Sequence, residues 1–133
     1  MLAPFPHFII IDDSQLDCFI GEKIIQNSGT LSSVRSYSQA AEAFEVIKNS
    51  EAKAAEAITI VILDIQMPLM NGFQFVEAFE LLPEVIQSNY AIFMFSSSIN
   101  ENDKNRMDNH ICIRKFYGKP ISKEVVASLV ASV

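Results

Sequence analysis

Cysteine is scarce: Cys18 and Cys112 are the two thiols in 133 residues, and neither stands at ligand spacing from a second thiol or from His7 or His110. That pattern argues against a metal site built on sulfur and leaves two buried thiols in a reducing compartment as the simplest reading. Basic residues are in deficit, 10 against 16 acids, and a formal net charge of −6 argues against a nonspecific nucleic-acid binder. No direct nucleic-acid partner is expected. The first residues, Met1-Leu2-Ala3-Pro4-Phe5-Pro6-His7, lack the basic region of a signal peptide, and the apolar run after them is broken by Asp12 and Asp13. Neither a leader nor a membrane span is expected, and the implied location is cytoplasmic. No repeat, low-complexity tract or linker interrupts the chain, whose length and half-hydrophobic composition suit one domain over 1–133. With no output domain after Val133, output is expected to come from docking to another protein or from handing a chemical group onward.

What is present is a repeated grammar of buried strands that end in polar side chains. Ile58-Thr59-Ile60-Val61-Ile62-Leu63 is too uniformly apolar or β-branched for a half-exposed strand, and reads as a central parallel strand stopped by the charge of Asp64. Pro68 and Gly72 then turn the chain before a helical pattern resumes. Phe8-Ile9-Ile10-Ile11 has the same form and ends in Asp12-Asp13. Ser14 reads as the N-cap of a helix with Leu16, Phe19, Ile20 and Ile24 at helical spacing, closed by Asn27-Ser28-Gly29. A short strand over 33–37 leads to Ser38, an N-cap for a helix with Ala40, Ala43, Phe44 and Ile47 inward. Phe75, Val76, Phe79 and Leu82 define a third helix that Pro83 closes or kinks. A fourth strand over 90–95 ends in Ser96-Ser97-Ser98. The helix expected over 100–109 has Met107 as its sole large apolar residue, so little packing area holds it to the sheet and it should move readily. A fifth strand, about 111–116, runs into Gly118-Lys119-Pro120, and Ser122 caps a last helix carrying Val125, Val126, Leu129, Val130 and Val133. Five strands alternating with five helices predict an α/β fold, a doubly wound parallel sheet with helices on both faces.

In such a sheet ligands bind at the rim formed by the strands' carboxyl ends. That rim receives Asp12, Asp13, Asp64, Ser96 and Lys119. Three converging carboxylates would repel and raise one another's pKa unless a cation sat among them, and oxygen-only ligation open to water points to Mg²⁺. Acids gathering Mg²⁺, a lysine and a hydroxyl match the needs of a transferring phosphoryl group, whose charge spreads over its oxygens. Asp64 lies centrally and is the candidate acceptor, since a carboxylate is a competent nucleophile for phosphorus. Asp12 and Asp13 would hold the metal.

These residues resemble the receiver domains of two-component response regulators. Asp12-Asp13, Asp64 with Met67-Pro68 and Asn71-Gly72, Ser96-Ser97 and Lys119-Pro120 fall in that family's order and separations, over essentially the whole chain. The resemblance implies a flavodoxin-like strand order 2-1-3-4-5, and phosphorylation of Asp64 by a histidine kinase or a histidine phosphotransfer protein. It implies direct Mg²⁺ ligation by Asp13, ligation mainly through water by Asp12, and completion of the site by the main-chain carbonyl of Gln66. Lys119 would pair with a phosphoryl oxygen, Ser96 would turn its hydroxyl to the phosphoryl group, and Phe116 would follow as the switch aromatic, although Tyr117 beside it competes for that role. The chain would then be a phosphoacceptor with at most slow self-catalysed turnover, and not an enzyme. Asn71-Gly72 and Ser97 depart from the family's frequent Asp-Gly and Ala.

Signal output is expected through the face made by the fourth helix, the fifth strand and the last helix. Lys104, Arg106, Arg114, Lys115 and Lys123 gather there, a solvated face by default that would steer an acidic partner; a second copy of the chain, bound on phosphorylation, is one such partner. Two other classes compete. A small phosphatase of another α/β family would usually carry a second Asp two residues after Asp64, where Gln66 stands. A phosphorylation-independent pseudo-receiver acting as a binding module would be expected to have lost an acid or the lysine, and none is missing.

Overall fold

The computed structural model describes residues 5–29, 33–98 and 100–133. The apolar runs become five strands: β1 (His7–Ile11), β2 (Ser33–Tyr37), β3 (Thr59–Asp64), β4 (Tyr90–Ser96) and β5 (Ile113–Gly118). Between and after them lie α1 (Gln15–Ser28), α2 (Ala40–Lys48), α3 (Gly72–Phe79), α4 (Glu84–Gln87), α5 (Glu101–Asp108) and α6 (Lys123–Ala131). All pairings are parallel, in the order β2-β1-β3-β4-β5. The fold is therefore the flavodoxin-like doubly wound sheet.

Period-two alternation splits the apolar side chains between two cores. Ile9, Ile11, Val61, Leu63, Ile92 and Met94 face α2 and α3, whereas Phe8, Ile10, Ile60, Ile62, Phe93 and Phe95 face α1 and α6. Covering both faces is what allows the three inner strands to be apolar throughout. Register then aligns the strand ends. Ile11 pairs with Leu63, Asp64 with Phe95 and Ser96 with Gly118, so Asp12, Asp64, Ser96 and Lys119 emerge along one edge.

Several local expectations are corrected. On α1, Cys18, Gly21 and Ile25 are buried, while Leu16, Phe19 and Ile20 are exposed. The inward stripe is made of small residues because α1 lies close to the sheet: a Cβ on Gly21 would stand 3.0 Å from Ile10 Cδ1. α2 is preceded by Gln39, which makes no side-chain capping bond, and not by Ser38. The described residues form six helices, not five, because Pro83, expected to close or kink α3, opens the additional short α4; proline's missing N–H costs nothing at a helix start. β5 begins two residues late and Ile111 is 97% exposed, since this edge strand is irregularly paired beside Ile92 and Phe93. Val133 lies beyond α6 and is exposed.

The capping expectations for Ser14 and Ser122 hold, with their hydroxyls accepting from Asp17 N–H and Val125 N–H, and left-handed Gly29 closes α1. No residue of α5 is buried. Met107 packs partly on the core, the Arg106 guanidinium lies 4.0 Å from the centre of the Phe73 ring, and His110 Nδ1 just beyond the helix is 2.8 Å from Glu80 Oε1. Polar contacts hold this helix where apolar area would hold another. No helix among the described residues is long and apolar enough to cross a membrane.

Asn71 and Gln74 form a reciprocal capping box that starts α3 directly behind the rim. Gly72 makes this possible by close approach: a Cβ there would meet the Asp64 carbonyl oxygen at 2.7 Å and Ile65 Cα at 3.0 Å. Gly72→Ala is expected to lower unfolding free energy in urea by about 1–3 kcal/mol through forced backbone movement, whereas Gly118→Ala, with nothing within 4 Å of the added atom, should show no comparable steric loss.

Candidate functional site

Among the described residues, Asp12, Asp64 and Ser96 are the buried polar side chains, 5%, 6% and 2% exposed. Burial of two acids demands compensation. Asp12 Oδ1 accepts from the Ser14 N–H at 2.9 Å, and its Oδ2 accepts from Lys119 Nζ at 2.6 Å. The same ammonium lies 3.2 Å from Asp17 Oδ2 and 3.4 Å from Asp64 Oδ1. Of the three converging acids, Asp12 and Asp64 thus already have a cation supplied by the chain. Lys119 is set in place through its backbone, whose N–H donates to the Ser96 carbonyl at 2.9 Å.

Each ligand candidate stands where its strand delivers it. Carboxylate oxygens of Asp12, Asp13 and Asp64 lie within 4.8 Å of one another, with Asp13 exposed. Hard oxygen donors on a partly open rim suit a hard divalent cation. Gln66 is exposed, and its backbone N–H hydrogen bonds to Asp64. The Ser96 hydroxyl donates to the Ser98 carbonyl at 2.5 Å and accepts from the Ser98 N–H at 3.2 Å, so it is turned into its own loop. Beside the acids a cavity of about 290 Å³ runs between α1 and the loop after β5, lined by Ile10, Ile20, Ile62, Phe95 and Ile121 as well as the charged groups.

Phe116 and Tyr117 point to opposite faces. Phe116 pairs with Met94 in register and packs partly buried on the core shared with Met107 of α5. Tyr117 stacks on Phe95 at 5.3 Å, on the α1 and α6 side, with its hydroxyl 3.2 Å from Ser128 Oγ. His7 and His110 lie outside the site, paired with Ser33 and Glu80. The residue that sequence reasoning missed is Asp17. Its signal was helical spacing, since it stands one turn after Asp13 in the first turn of α1.

Burial, and then the charge of Asp12, push the Asp64 carboxyl up to about 6, against the pull of Lys119 and the Gln66 N–H. For Lys119, burial acts downward, but its hydrogen bond to Asp12 and the charges of Asp12 and Asp64 outweigh it and hold the ammonium well above its ordinary range.

The family model described as the response regulator receiver domain matches residues 8–131. The chain belongs to the response regulator receiver family. A solved receiver protein from Dyadobacter fermentans DSM 18053 is 32% identical, with a TM-score of 0.84 over 95% of each chain. A two-component response regulator from Cytophaga hutchinsonii is 19% identical, with a TM-score of 0.85 over 97% of this chain and 96% of that one. The chemotaxis protein CheY4 of Vibrio cholerae is also 19% identical, with a TM-score of 0.77 over 97% and 98%. These last two show the shared fold. A search of curated proteins gives no match. The receiver's acidic cluster could bind a metal ion.

The raised Asp64 pKa has a definite pH consequence. The unfolded carboxyl ionises near 3.8 and the folded one near 6, so between these values the folded receiver keeps a proton that the unfolded chain has lost. Its contribution to stability is fully present below the unfolded value and is lost as pH rises through about 6. In metal-free buffer Asp64→Asn is expected to stabilise the receiver by about 1–2 kcal/mol at neutral pH, allowing for the lost attraction to Lys119. Below the unfolded pKa that gain should vanish; urea unfolding across the pH range measures it.

Proposed function

We propose that the chain is a phosphoacceptor that takes a phosphoryl group from a phosphohistidine onto Asp64. The observation that carries this reading is the placement of Asp64, buried in its strand end with Asp12 and Asp13 on one side and Lys119 at 3.4 Å. With its pKa near 6, Asp64 is mostly ionised and nucleophilic at neutral pH. A carboxylate oxygen attacks phosphorus, the P–N bond of the phosphohistidine breaks, and the bonding pair leaves on the imidazole, whose other nitrogen carries the proton. Asp13 would hold Mg²⁺ directly and Asp12 mainly through water, with Asp64 and the Gln66 carbonyl completing the set, and the ion would supply positive charge to the phosphoryl oxygens. Lys119 donates to one of those oxygens, and Ser96 leaves Ser98 to donate to another.

The donor is a histidine kinase or a phosphotransfer protein. Exposed Leu16 and Phe19 on α1 and Leu69 after Asp64 give it apolar footing on the two segments flanking the site. In this reading the protein works in the cytoplasm, where such donors act, and its own turnover is limited to slow self-catalysed gain and loss of the group. A binding-only pseudo-receiver has no support in the site, where every acid, the hydroxyl and the lysine are present.

Output runs through the face of α5, β5 and α6, or the phosphoryl group passes onward. Ser96 begins the loop to α5, Phe116 shares a core with that helix, and α5 buries no residue that would fix its position. Release of the Ser96–Ser98 bonds is therefore felt first at α5.

Intact-mass measurement after incubation with Mg²⁺ and acetyl phosphate should show one added phosphoryl group, absent in Asp64→Asn. Amide NMR shifts in the beryllofluoride complex should extend from the rim into α5 and β5. Equal phosphorylation of both proteins would overturn the acceptor assignment, and shifts confined to the rim would overturn the output face.

A further inference from the structure

We propose that Asp17 is a positioning residue that restrains Lys119 in the resting receiver and so sets how readily the lysine turns to the phosphoryl group, a role that rests on the reading of Asp64 as phosphoacceptor. An ammonium has three hydrogens to donate. Lys119 faces three carboxylates, those of Asp12 at 2.6 Å, Asp17 at 3.2 Å and Asp64 at 3.4 Å. Two of those hydrogens are spent on Asp12 and Asp17, with Asp64 Oδ1 an ion-pair contact, so turning to a phosphoryl oxygen means loosening the hold of these acids.

The three partners are not equivalent. Asp12 and Asp64 belong to the cluster whose oxygens converge within 4.8 Å together with Asp13, and Asp17 stands outside it. A cation among the clustered acids weakens the hold of Asp12 and Asp64 on the lysine and leaves that of Asp17 in place. Asp17 also connects separate parts of the fold, reaching from the first turn of α1 to Lys119 after β5, both residues lining the cavity there. Its side chain is 44% exposed, against 7% for Asp12 and 8% for Asp64, so solvent screens the contact and its strength is modest. A modest restraint of this kind tunes the site and does not block it.

The competing explanation is that Asp17 serves only its helix, as an acid in the first turn of α1 against the helix dipole. The full chain is titrated with beryllofluoride at saturating Mg²⁺ by amide NMR. Asp17→Asn is expected to tighten binding about two- to fivefold, the range a partly exposed ion pair supports. In the metal-free protein the side-chain ammonium resonance of Lys119 should shift in the same variant. In a Lys119→Gln background, phosphoryl acceptance from acetyl phosphate, read by intact mass, should no longer respond to Asp17→Asn. A purely helical role predicts a lower melting temperature with beryllofluoride affinity and the lysine resonance unchanged, and that result overturns the proposal. So does an Asp17→Asn effect that persists undiminished without Lys119. Wild-type protein that binds no beryllofluoride would overturn the phosphoacceptor reading itself, whereas wild-type binding with no response to Asp17→Asn removes only the role of Asp17.

Discussion

The ion pairing of Lys119 with the acids of the rim is the interaction on which the site depends. Asp12 and Asp64 are nearly inaccessible, and their ammonium partner is itself 18% exposed at the side chain. A charge left alone in such a place would change its protonation state or destabilise the fold. The lysine is fixed from behind, since its N–H is tied to the Ser96 carbonyl at the end of the neighbouring strand. One side chain thus links the ends of β1, β3 and β5 with the start of α1. In the phosphoacceptor reading, Mg²⁺ and the phosphoryl group arrive at a site that is already electrostatically occupied, and their effect is to redistribute the partners of Lys119.

Much of this was legible in the sequence because each rim residue stands where an apolar run stops. Asp12, Asp64 and Ser96 follow uninterrupted apolar segments, and parallel register brings the strand ends together without further information. Asp17 was not legible in the same way, because its partner lies 102 positions away and is reached through tertiary packing. The face of α1 was misread for a related reason. Leu16, Phe19 and Ile20 give a strong periodic signal and are exposed, whereas the buried stripe consists of Cys18, Gly21 and Ile25, of which only one is large. Hydrophobicity measures the gain from burial and says nothing of how near a helix must come to the sheet. The start of β5 was blurred because an edge strand is covered on fewer sides and its alternation is weak.

The two aromatics of β5 show what side-chain alternation contributes. Sequence could not choose between Phe116 and Tyr117, yet adjacent strand residues face opposite layers. Phe116 lies on the side of α5, while Tyr117 is held between Phe95 and Ser128 on the side of α1 and α6. The proposed signal to α5 therefore has Phe116 as its natural relay. The expectation of a weakly packed helix there also gains content: α5 is held by Arg106 on Phe73 and, just past its end, by His110 on Glu80, contacts that can be exchanged without opening the core.

The central claim is that Lys119 serves as the resting site's own counter-cation to Asp12 and Asp64. The most direct measurement is equilibrium unfolding of Lys119→Gln beside the wild type, in metal-free buffer and at saturating Mg²⁺. Removing one partner of a buried pair predicts a loss of about 2–4 kcal/mol without metal, shrinking to less than half of that when Mg²⁺ is present to neutralise Asp12 and Asp64. A loss of the same size in both buffers, or no loss in either, would contradict it.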